Sequence, residues 1–328
     1  MHEYLGLILF TALISVASSL KYKNKANYRP ISTRLGAIES SSLKAQDGLD
    51  IHVLKSTSTS KGSSKCPLLF IHGSYHSAYC WGDHFLPYFE SKGYDCLALS
   101  LRGTGPTGML EGDESKSVDI NSHISDVKKV LSSFSQPPVI IAHSFGGLVS
   151  MKLLEDDDTR SKTRGVVTLC SVPPSGNGPM TGRFLKRDIW SALQITRGFV
   201  LKTVRSSPKL CRELFFDDSV SDEDISLYMD RFKEDSVIGI DLGSLKGNLP
   251  SDTSMSENGI ANFLDSDTNL RRLCLGAEND YIVDHEGVEE TARYLGVVPT
   301  FIKGAYHDCF VGPIWKRTAT TIEEWLEQ

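Results

Sequence analysis

The sequence predicts an α/β protein whose mostly parallel sheet is covered by helices on both faces. From residue 66 onward, short apolar runs alternate with longer stretches that repeat apolar residues at helical spacing. The short runs are almost continuously apolar, which is typical of strands that are buried on both faces. At 328 residues, the chain is long enough to bury one large core around such a sheet.

The alternation is regular through the first half of the chain. Apolar runs predict strands in the segments PLLFIHG, YDCLALSLRG and PPVIIAHS, and then at residues 165–171. Helical periodicity predicts helices in the segment HFLPYFESKG, at residues 118–134 and at residues 146–155. Because strands and helices alternate one by one, we expect most of the strands to lie parallel.

The pattern changes between residues 178 and 262, where helical segments replace the buried strands. Apolar residues recur there at mostly four-residue spacing from Leu185, and Ser221 with Asp224 predicts a helix start as a capping box. The sheet pattern then resumes with a strand at 270–276, a helix near 286–295, a strand at 298–302 and a last helix from about residue 313. The sequence therefore predicts a core of residues 35–177 and 263–328, interrupted by a helical insertion of residues 178–262.

Residues 1–34 are predicted to form an N-terminal leader or anchor followed by a linker. The apolar stretch at residues 5–17 is short for a membrane span but has the length of a signal-peptide core. Its positive charges follow the apolar stretch instead of preceding it. A cleaved secretory signal, an uncleaved membrane anchor and an organelle leader, such as a plastid one, all remain open. We expect a location in the secretory pathway or at a membrane.

Composition excludes some partners. With 35 basic and 41 acidic residues, the net charge of −6 gives no positive field for a polyanion, so we expect no nucleic-acid partner. The seven cysteines are scattered singly without a C-x-x-C spacing. We therefore expect neither a disulfide framework nor a zinc site, and no metal or cofactor. The oligomeric state is left open.

The central chemical signal is the segment IIAHSFGG, in which Ser144 ends a strand-like run and opens a helix. A nucleophilic serine at such a turn has a strained backbone, and small residues two positions away let the strand and the helix approach closely. Ala142 and Gly146 meet this need. The alternative is an ordinary serine at a helix N-terminus. The placement between an apolar strand and a helix favours a nucleophile.

A nucleophilic serine needs a histidine base and a carboxylate that orients the base. Of nine histidines, only His285 and His307 lie beyond the insertion, and His307 follows a predicted strand and a turn whereas His285 stands where a helix should begin. The expected base is His307. The expected acid is Asp280, just beyond a strand end, with Asp284 as the alternative because it also fits the first position of the next helix.

Acyl transfer also needs donors for the oxyanion of the tetrahedral intermediate, and two backbone N–H groups are the usual source. Phe145 directly follows the serine and is expected to supply one. Ser74 is expected to supply the other, because Gly73 lets the chain turn after an earlier strand. The alternative is that this glycine makes a plain turn from strand to helix.

Together these residues resemble the α/β-hydrolase superfamily over about residues 35 to 328. The resemblance rests on the segments HG at residues 72–73 and RGTG at residues 102–105, on the turn around Ser144, and on the loops that bear Asp280 and His307. It implies an α/β-hydrolase fold in which the insertion is a cap over the active site. The family usually has an aspartate near Ser100 and a glycine in place of Ala142, so the chain departs from the pattern at both positions.

The resemblance implies a serine hydrolase that cleaves esters through an acyl-enzyme. Thioesterase, acyltransferase, hydroxynitrile lyase, carbon–carbon hydrolase and cofactor-free peroxidase activities stay open, as does a ligand receptor on the same fold. Relatives that open epoxides or remove halogens use an aspartate as the nucleophile, so Ser144 argues against their chemistry.

The predicted cap is the only region that bears on the substrate. Its apolar residues and one neighbour are expected to line the pocket: Tyr75, Phe184, Leu185, Ile189, Trp190, Tyr228 and Phe232. Its basic residues could rest on an anionic lipid surface: Arg183, Lys186, Arg187, Arg197, Lys202 and Arg205. A solvated helix packed on the core is the alternative. We expect a small-molecule or lipid ester as the substrate, and possible association with a membrane surface.

Overall fold

The computed structural model of the chain describes residues 38–58, 65–113, 117–187, 198, 202–235, 241, 243–265 and 269–328. The predicted leader of residues 1–34 lies outside these ranges, as do Ile189, Trp190 and Arg197 of the predicted cap. Within the described residues, every helix is too short or too polar to cross a membrane.

Eight strands form a single sheet in the described part of the chain. They are β1 (Ile38–Lys44), β2 (Asp50–Ser56), β3 (Leu68–Ile71), β4 (Cys96–Leu99), β5 (Val139–His143), β6 (Gly165–Leu169), β7 (Arg271–Ala277) and β8 (Thr300–Ile302). Their order across the sheet is β1-β2-β4-β3-β5-β6-β7-β8. The pairs β1·β2 and β2·β4 are antiparallel, and every other pair is parallel. The mostly parallel sheet predicted from the sequence is therefore confirmed.

Helices connect the strands and cover the sheet. They are α1 (Tyr79–Gly82), α2 (Phe85–Ser91), α3 (Ile120–Leu131), α4 (Phe145–Leu153), α5 (Asp157–Ser161), α6 (Asn177–Arg187), α7 (Pro208–Phe215), α8 (Asp222–Asp235), α9 (Pro250–Thr253), α10 (His285–Tyr294) and α11 (Trp315–Leu326). Two 3₁₀ turns lie at Thr203–Arg205 and Asn262–Asp265. Among described residues, the elements between β6 and β7 are thus helical.

The core lies on both faces of the sheet, as the continuous apolar runs indicate. In β3, Leu68 and Phe70 belong to one buried cluster, whereas Leu69 and Ile71 belong to the other. All four side chains are fully buried. Successive side chains of a strand point to opposite faces, so a strand that is apolar at every position must be covered twice.

Sequence signals placed the element ends within a few residues. Asp119 caps α3 by accepting from Asn121 and Ser122, which starts that helix at residue 120. Strand β8 is shorter than expected because only Thr300–Ile302 pair with β7, and Val298 is exposed before them. The carboxyl ends of β5, β7 and β8 lie at one edge of the sheet, where the candidate site is found.

Candidate active site

Ser144 lies at a strained turn between β5 and α4. Its backbone has φ 51° and ψ −119°, a region that residues other than glycine rarely adopt. The Ser144 N–H donates to Leu169 of β6 at 2.9 Å, and the Ser144 carbonyl accepts from Gly147 at 3.0 Å. These two hydrogen bonds keep Ser144 in a strained conformation, which is the one that exposes a nucleophilic serine hydroxyl at the end of the sheet.

Two glycines let neighbouring segments approach this turn. A Cβ added at Gly146 would lie 2.5 Å from the carbonyl oxygen of His72, and one added at Gly73 would lie 2.6 Å from the Cβ of Ser144. Both distances are shorter than real contacts allow. The Gly73 backbone therefore lies directly against the serine. Ala142 is fully buried in the core cluster that also contains Leu69 and Ile71. The fold therefore accommodates its methyl group in place of the usual glycine.

The structure brings Ser144, His307 and Asp280 into one hydrogen-bonded chain. His307 Nε2 lies 3.1 Å from Ser144 Oγ, and His307 Nδ1 lies 2.8 Å from Asp280 Oδ2. The Asp280 Oδ1 atom also accepts from the N–H groups of Ile282 and Val283 at 2.8 and 2.9 Å. These two amides and the histidine fix the carboxylate, and the carboxylate fixes the imidazole with Nε2 toward the serine.

Asp284, the alternative acid, and two other nearby carboxylates have different partners. Asp284 caps α10 by accepting from Gly287 and forms a bidentate ion pair with Arg183. Glu278 accepts from the N–H of Gly304, and Asp308 bonds His76. Each of these carboxylates is thus engaged away from the ring nitrogens of the base.

Opposing effects set the pKa of His307. Burial disfavours the imidazolium and by itself lowers the pKa, whereas the negative charges of Asp280 and Asp308 raise it. Together with the hydrogen bond to Asp280, the two charges outweigh burial, so the pKa of His307 is raised above its ordinary value. A base of this kind stays protonated to a higher pH than a free histidine, and must lose that proton before it can activate the serine.

The expected oxyanion donors flank the serine. Phe145 is the first residue of α4, where backbone N–H groups have no partner within the helix. Ser74 follows the glycine whose backbone touches Ser144, and Tyr75 after it has φ 68°. The two predicted residues therefore lie on the two segments of chain that border the serine. Their role as donors stays a prediction.

His72 holds the loop that carries Ser74, a role that no sequence pattern indicated. Its Nδ1–H donates to the carbonyl of Gly73 at 2.7 Å, and its Nε2 accepts from the N–H of Leu101 at 2.9 Å. Burial lowers the pKa of His72 to about 3, so the ring stays neutral and can both donate and accept. It ties the loop after β3 to the loop after β4.

Aromatic side chains of α7 and α8 pack above the base. The ring of Phe215 lies 5.9 Å from that of His307, 6.0 Å from Tyr75 and 4.9 Å from Phe232. Tyr75 and Phe232 are 5.7 Å apart. Ser144 is only 3% exposed beneath this cluster. Tyr75, Phe215 and Phe232 therefore form an aromatic wall that packs on His307 next to the buried serine.

Comparison with known proteins places the chain in a family. The model of the alpha/beta hydrolase family matches residues 68–313, which is most of the chain and includes Ser144, Asp280 and His307. The chain belongs to the α/β-hydrolase family. No curated protein sequence matches it.

The fold of this α/β hydrolase is similar to that of several solved enzyme structures. An esterase from Exiguobacterium antarcticum is 14% identical with a TM-score of 0.63, covering 88% of this chain and 100% of the esterase. Epoxide hydrolase I of potato, Solanum tuberosum, is 16% identical with a TM-score of 0.62, at 88% and 99% coverage. A bacterial membrane phospholipase A is 15% identical with a TM-score of 0.60, at 89% and 87% coverage. Identities this low show a shared fold alone.

The residues predicted to line the pocket of this α/β hydrolase have different environments. Tyr75, Tyr228 and Phe232 are buried, and Phe184 is partly buried against the core. Leu185 is 46% exposed on α6, and its place in the pocket stays a prediction. The helical period of α6 alone did not show which side of the helix packs on the protein. Ile189 and Trp190 lie outside the described residues.

Three of the basic residues that could rest on a lipid surface make other interactions or are partly buried. Arg183 and Arg187 form ion pairs with Asp284 and Glu286 at the start of α10. Lys202 is partly buried, and this burial lowers its pKa. Two of the charges proposed for a lipid surface are thus paired with the core of the protein.

Two buried clusters bring possible metal ligands together in the described residues: His76, His143 and Asp308, and Cys170, Asp280 and His307. Hydrogen bonds already join His76 to Asp308 at 3.0 Å and His307 to Asp280 at 2.8 Å. The second cluster contains the candidate acid and base together with Cys170. The first lies directly behind the base and was not singled out from the sequence.

Proposed function

We propose that this α/β hydrolase is a serine hydrolase that cleaves carboxylic esters through an acyl-enzyme. The observation that supports the proposal is the hydrogen-bonded chain from Ser144 Oγ through His307 to Asp280. A serine hydroxyl with an ordinary pKa is a weak nucleophile. Here His307 is the proton acceptor, and the charge of Asp280 stabilises the resulting imidazolium.

In the first half of the reaction, Ser144 Oγ forms a bond to the ester carbonyl carbon while His307 Nε2 accepts the hydroxyl proton. The carbonyl π electrons move to oxygen, and the N–H groups of Phe145 and Ser74 stabilise the oxyanion. The carbonyl then re-forms, the bond to the alcohol oxygen breaks, and His307 returns its proton to the departing alcohol. The acyl group remains on Ser144.

In the second half, water replaces the serine as the nucleophile. His307 Nε2 accepts a proton from water as its oxygen attacks the acyl carbon, and then gives that proton to Ser144 Oγ as the ester bond to the enzyme breaks. The products are a carboxylic acid and free enzyme. Asp280 keeps its charge throughout and holds His307 in the tautomer that each transfer needs.

Within the family, the nucleophile separates this proposal from epoxide opening. The potato epoxide hydrolase shares the fold. Relatives that open epoxides use an aspartate as the nucleophile, whereas this chain has Ser144 at the strand-to-helix turn. A serine with a base within hydrogen-bond reach is suited to acyl transfer.

The aromatic wall formed by Tyr75, Phe215 and Phe232 supports hydrophobic acyl or alcohol groups as the substrate class. Pockets of this kind bind chiefly by removing hydrocarbon from water. Each buried methylene contributes about 0.8 kcal/mol, so kcat/KM is expected to rise roughly three- to fourfold per added acyl carbon until the pocket is full.

A series of p-nitrophenyl esters from acetate to laurate tests the proposal. Ser144→Ala should abolish hydrolysis of every ester, whereas Ser150→Ala, which removes a buried hydroxyl further along α4 that donates to the carbonyl of Gly146, should leave it intact. Thioesters of the same acyl chains, run in parallel, separate esterase from thioesterase preference. Full activity of Ser144→Ala would refute the serine mechanism, and a profile that peaks at acetate would refute only the hydrophobic substrate.

A further inference from the structure

Asp308, the residue after the proposed base, joins three parts of the protein. Its N–H donates to the carbonyl of Phe215 at the end of α7, at 3.2 Å. Its Oδ2 accepts from His76 Nε2 at 3.0 Å, and His76 lies on the same loop as the expected oxyanion donor Ser74. Both side chains of the pair are at most 5% exposed.

His76 extends the connection to the insertion. Its ring packs at 5.3 Å from that of Phe232 in α8 and at 5.9 Å from that of His143. His143, which directly precedes Ser144, donates its Nε2–H to the backbone carbonyl of His307 at 3.0 Å. His143 of β5 therefore holds the backbone carbonyl of His307. Asp308, the next residue, is held by His76 of the loop after β3 and by the carbonyl of Phe215 in the insertion.

A carboxylate buried this deeply needs a reason. Asp308 Oδ1 has no hydrogen-bond partner in the described part of the chain, and it lies 3.8 Å from His143 Nε2. Burying a charge without full pairing costs free energy, so a buried carboxylate of this kind indicates a functional role. The charge of Asp308 acts on His307 and helps to raise its pKa.

We propose that the buried pair Asp308–His76 is a positioning device for the base, which sets His307 against the oxyanion loop and the insertion and places a second negative charge beside it. The proposal rests on the proposed function in that His307 is the base of that reaction. Neither residue touches the reacting atoms, so both act through His307.

The groups that face His307 must be considered together. They are Asp280 after β7, His143 in β5, Cys170 after β6 and Asp308 itself, with His76 behind Asp308. Burial lowers the pKa of His143 well below its ordinary value, so it is neutral and contributes no charge in the working range. Asp280 and Asp308 are then the two charges that oppose the burial of His307.

Titration of His307 by nuclear magnetic resonance tests the charge directly. In protein with labelled histidine, His307→Gln identifies the His307 signal by its loss. Asp308→Asn keeps an acceptor for His76 but removes the charge, and should lower the pKa of His307 by about half a unit to one unit. Asp83→Asn is the matched control, because Asp83 is a buried carboxylate that pairs with Arg231 of α8. It should leave the pKa of His307 unchanged.

Kinetics test the positioning. His76→Gln retains an N–H donor and should keep kcat within about threefold, whereas His76→Ala should lower kcat about tenfold with a smaller change in KM. Equal activity of the two variants, or an Asp308→Asn protein whose His307 titrates as in the wild type, would overturn the proposal. If Asp308→Asn does not fold, the two His76 variants decide. The titration needs no turnover, so failure of the proposed function shows separately, as a wild-type protein without Ser144-dependent ester cleavage.

Discussion

The edge of the sheet and the helical insertion differ in how closely their sequence determines their side-chain positions. Ser144, Asp280 and His307 each follow the end of a parallel strand, and the sheet brings the three together although they lie 163 and 27 residues apart. In the insertion, Leu185 has the right periodicity but is exposed on α6, whereas Phe215, which periodicity did not single out, packs on the base. A strand end fixes a position in the fold, while a helical period fixes only a face whose partner is unknown.

The largest expected effect separates the two histidines beyond the insertion. His307→Gln should lower kcat/KM by about 10⁴-fold or more, because the serine loses its proton acceptor. His285→Gln is the control, since His285 begins α10 and its Nε2 bonds the carbonyl of Glu278. Steady-state hydrolysis of a p-nitrophenyl ester measures both. Comparable losses in the two variants would show that the position of His307 after a strand does not identify it as the base.

The next effect separates the two acids. Asp280→Asn should lower kcat by about 10³- to 10⁴-fold, because the amide cannot stabilise the imidazolium. In the wild type, kcat/KM should rise with pH through a pKa above the ordinary value for histidine, since only neutral His307 accepts a proton. Losing the charge of Asp280 lowers that pKa, so the acid limb of the Asp280→Asn profile should move to lower pH.

Asp284→Asn provides the contrast in the same pH series. Asparagine still caps α10, so the fold should persist, and the ion pair with Arg183 should be lost without a shift of the acid limb. A shift of the limb in Asp284→Asn instead of Asp280→Asn would reverse the assignment of the acid.

A smaller effect tests the insertion. Phe215→Ala opens space beside His307 and should change the preference between laurate and acetate esters by about tenfold, because several methylenes gain or lose apolar contact. Leu185→Ala should leave the preference unchanged, since that side chain is exposed. The ratio of kcat/KM values for the two esters is the measurement. A strong effect of Leu185→Ala would show that this exposed side chain does line the pocket.

The smallest effect concerns how the insertion is attached. Arg183→Met removes a bidentate ion pair to the buried Asp284 and should lower the free energy of unfolding by about 1 kcal/mol, more at low salt than at high salt. Lys186→Met, on an exposed part of the same helix, is the matched control. Urea unfolding at two salt concentrations measures the difference. Equal stability of the two variants would show that this ion pair does not hold α6.

The predictable part of the site follows from local chemistry. Apolar runs predicted strands β3 to β8 but not β1 and β2, whose sequences are more polar. The glycine and alanine around Ser144 marked the turn because only small residues allow that close approach. Asp280 could be separated from Asp284 because Asp284 stood at a helix start, where it does cap α10.

The rest depends on contacts between distant segments. His76 and Asp308 are 232 residues apart, and neither has a local pattern that reveals its partner. His72 accepts from the N–H of Leu101 in another loop. Ser100, near which the family usually has an aspartate, bonds His52 of β2 at 2.9 Å. Such pairs depend on how loops meet in space, and periodicity carries no information about that.

Identification of the nucleophile by covalent labelling tests the central claim most directly. A fluorophosphonate probe reacts with an activated serine, and digestion with mass spectrometry locates the adduct. The account predicts a single adduct on Ser144, labelling that follows the ionisation of His307 as pH is varied, and no labelling of Ser144→Ala. Undiminished labelling of Ser144→Ala, or an adduct on another serine, would contradict it.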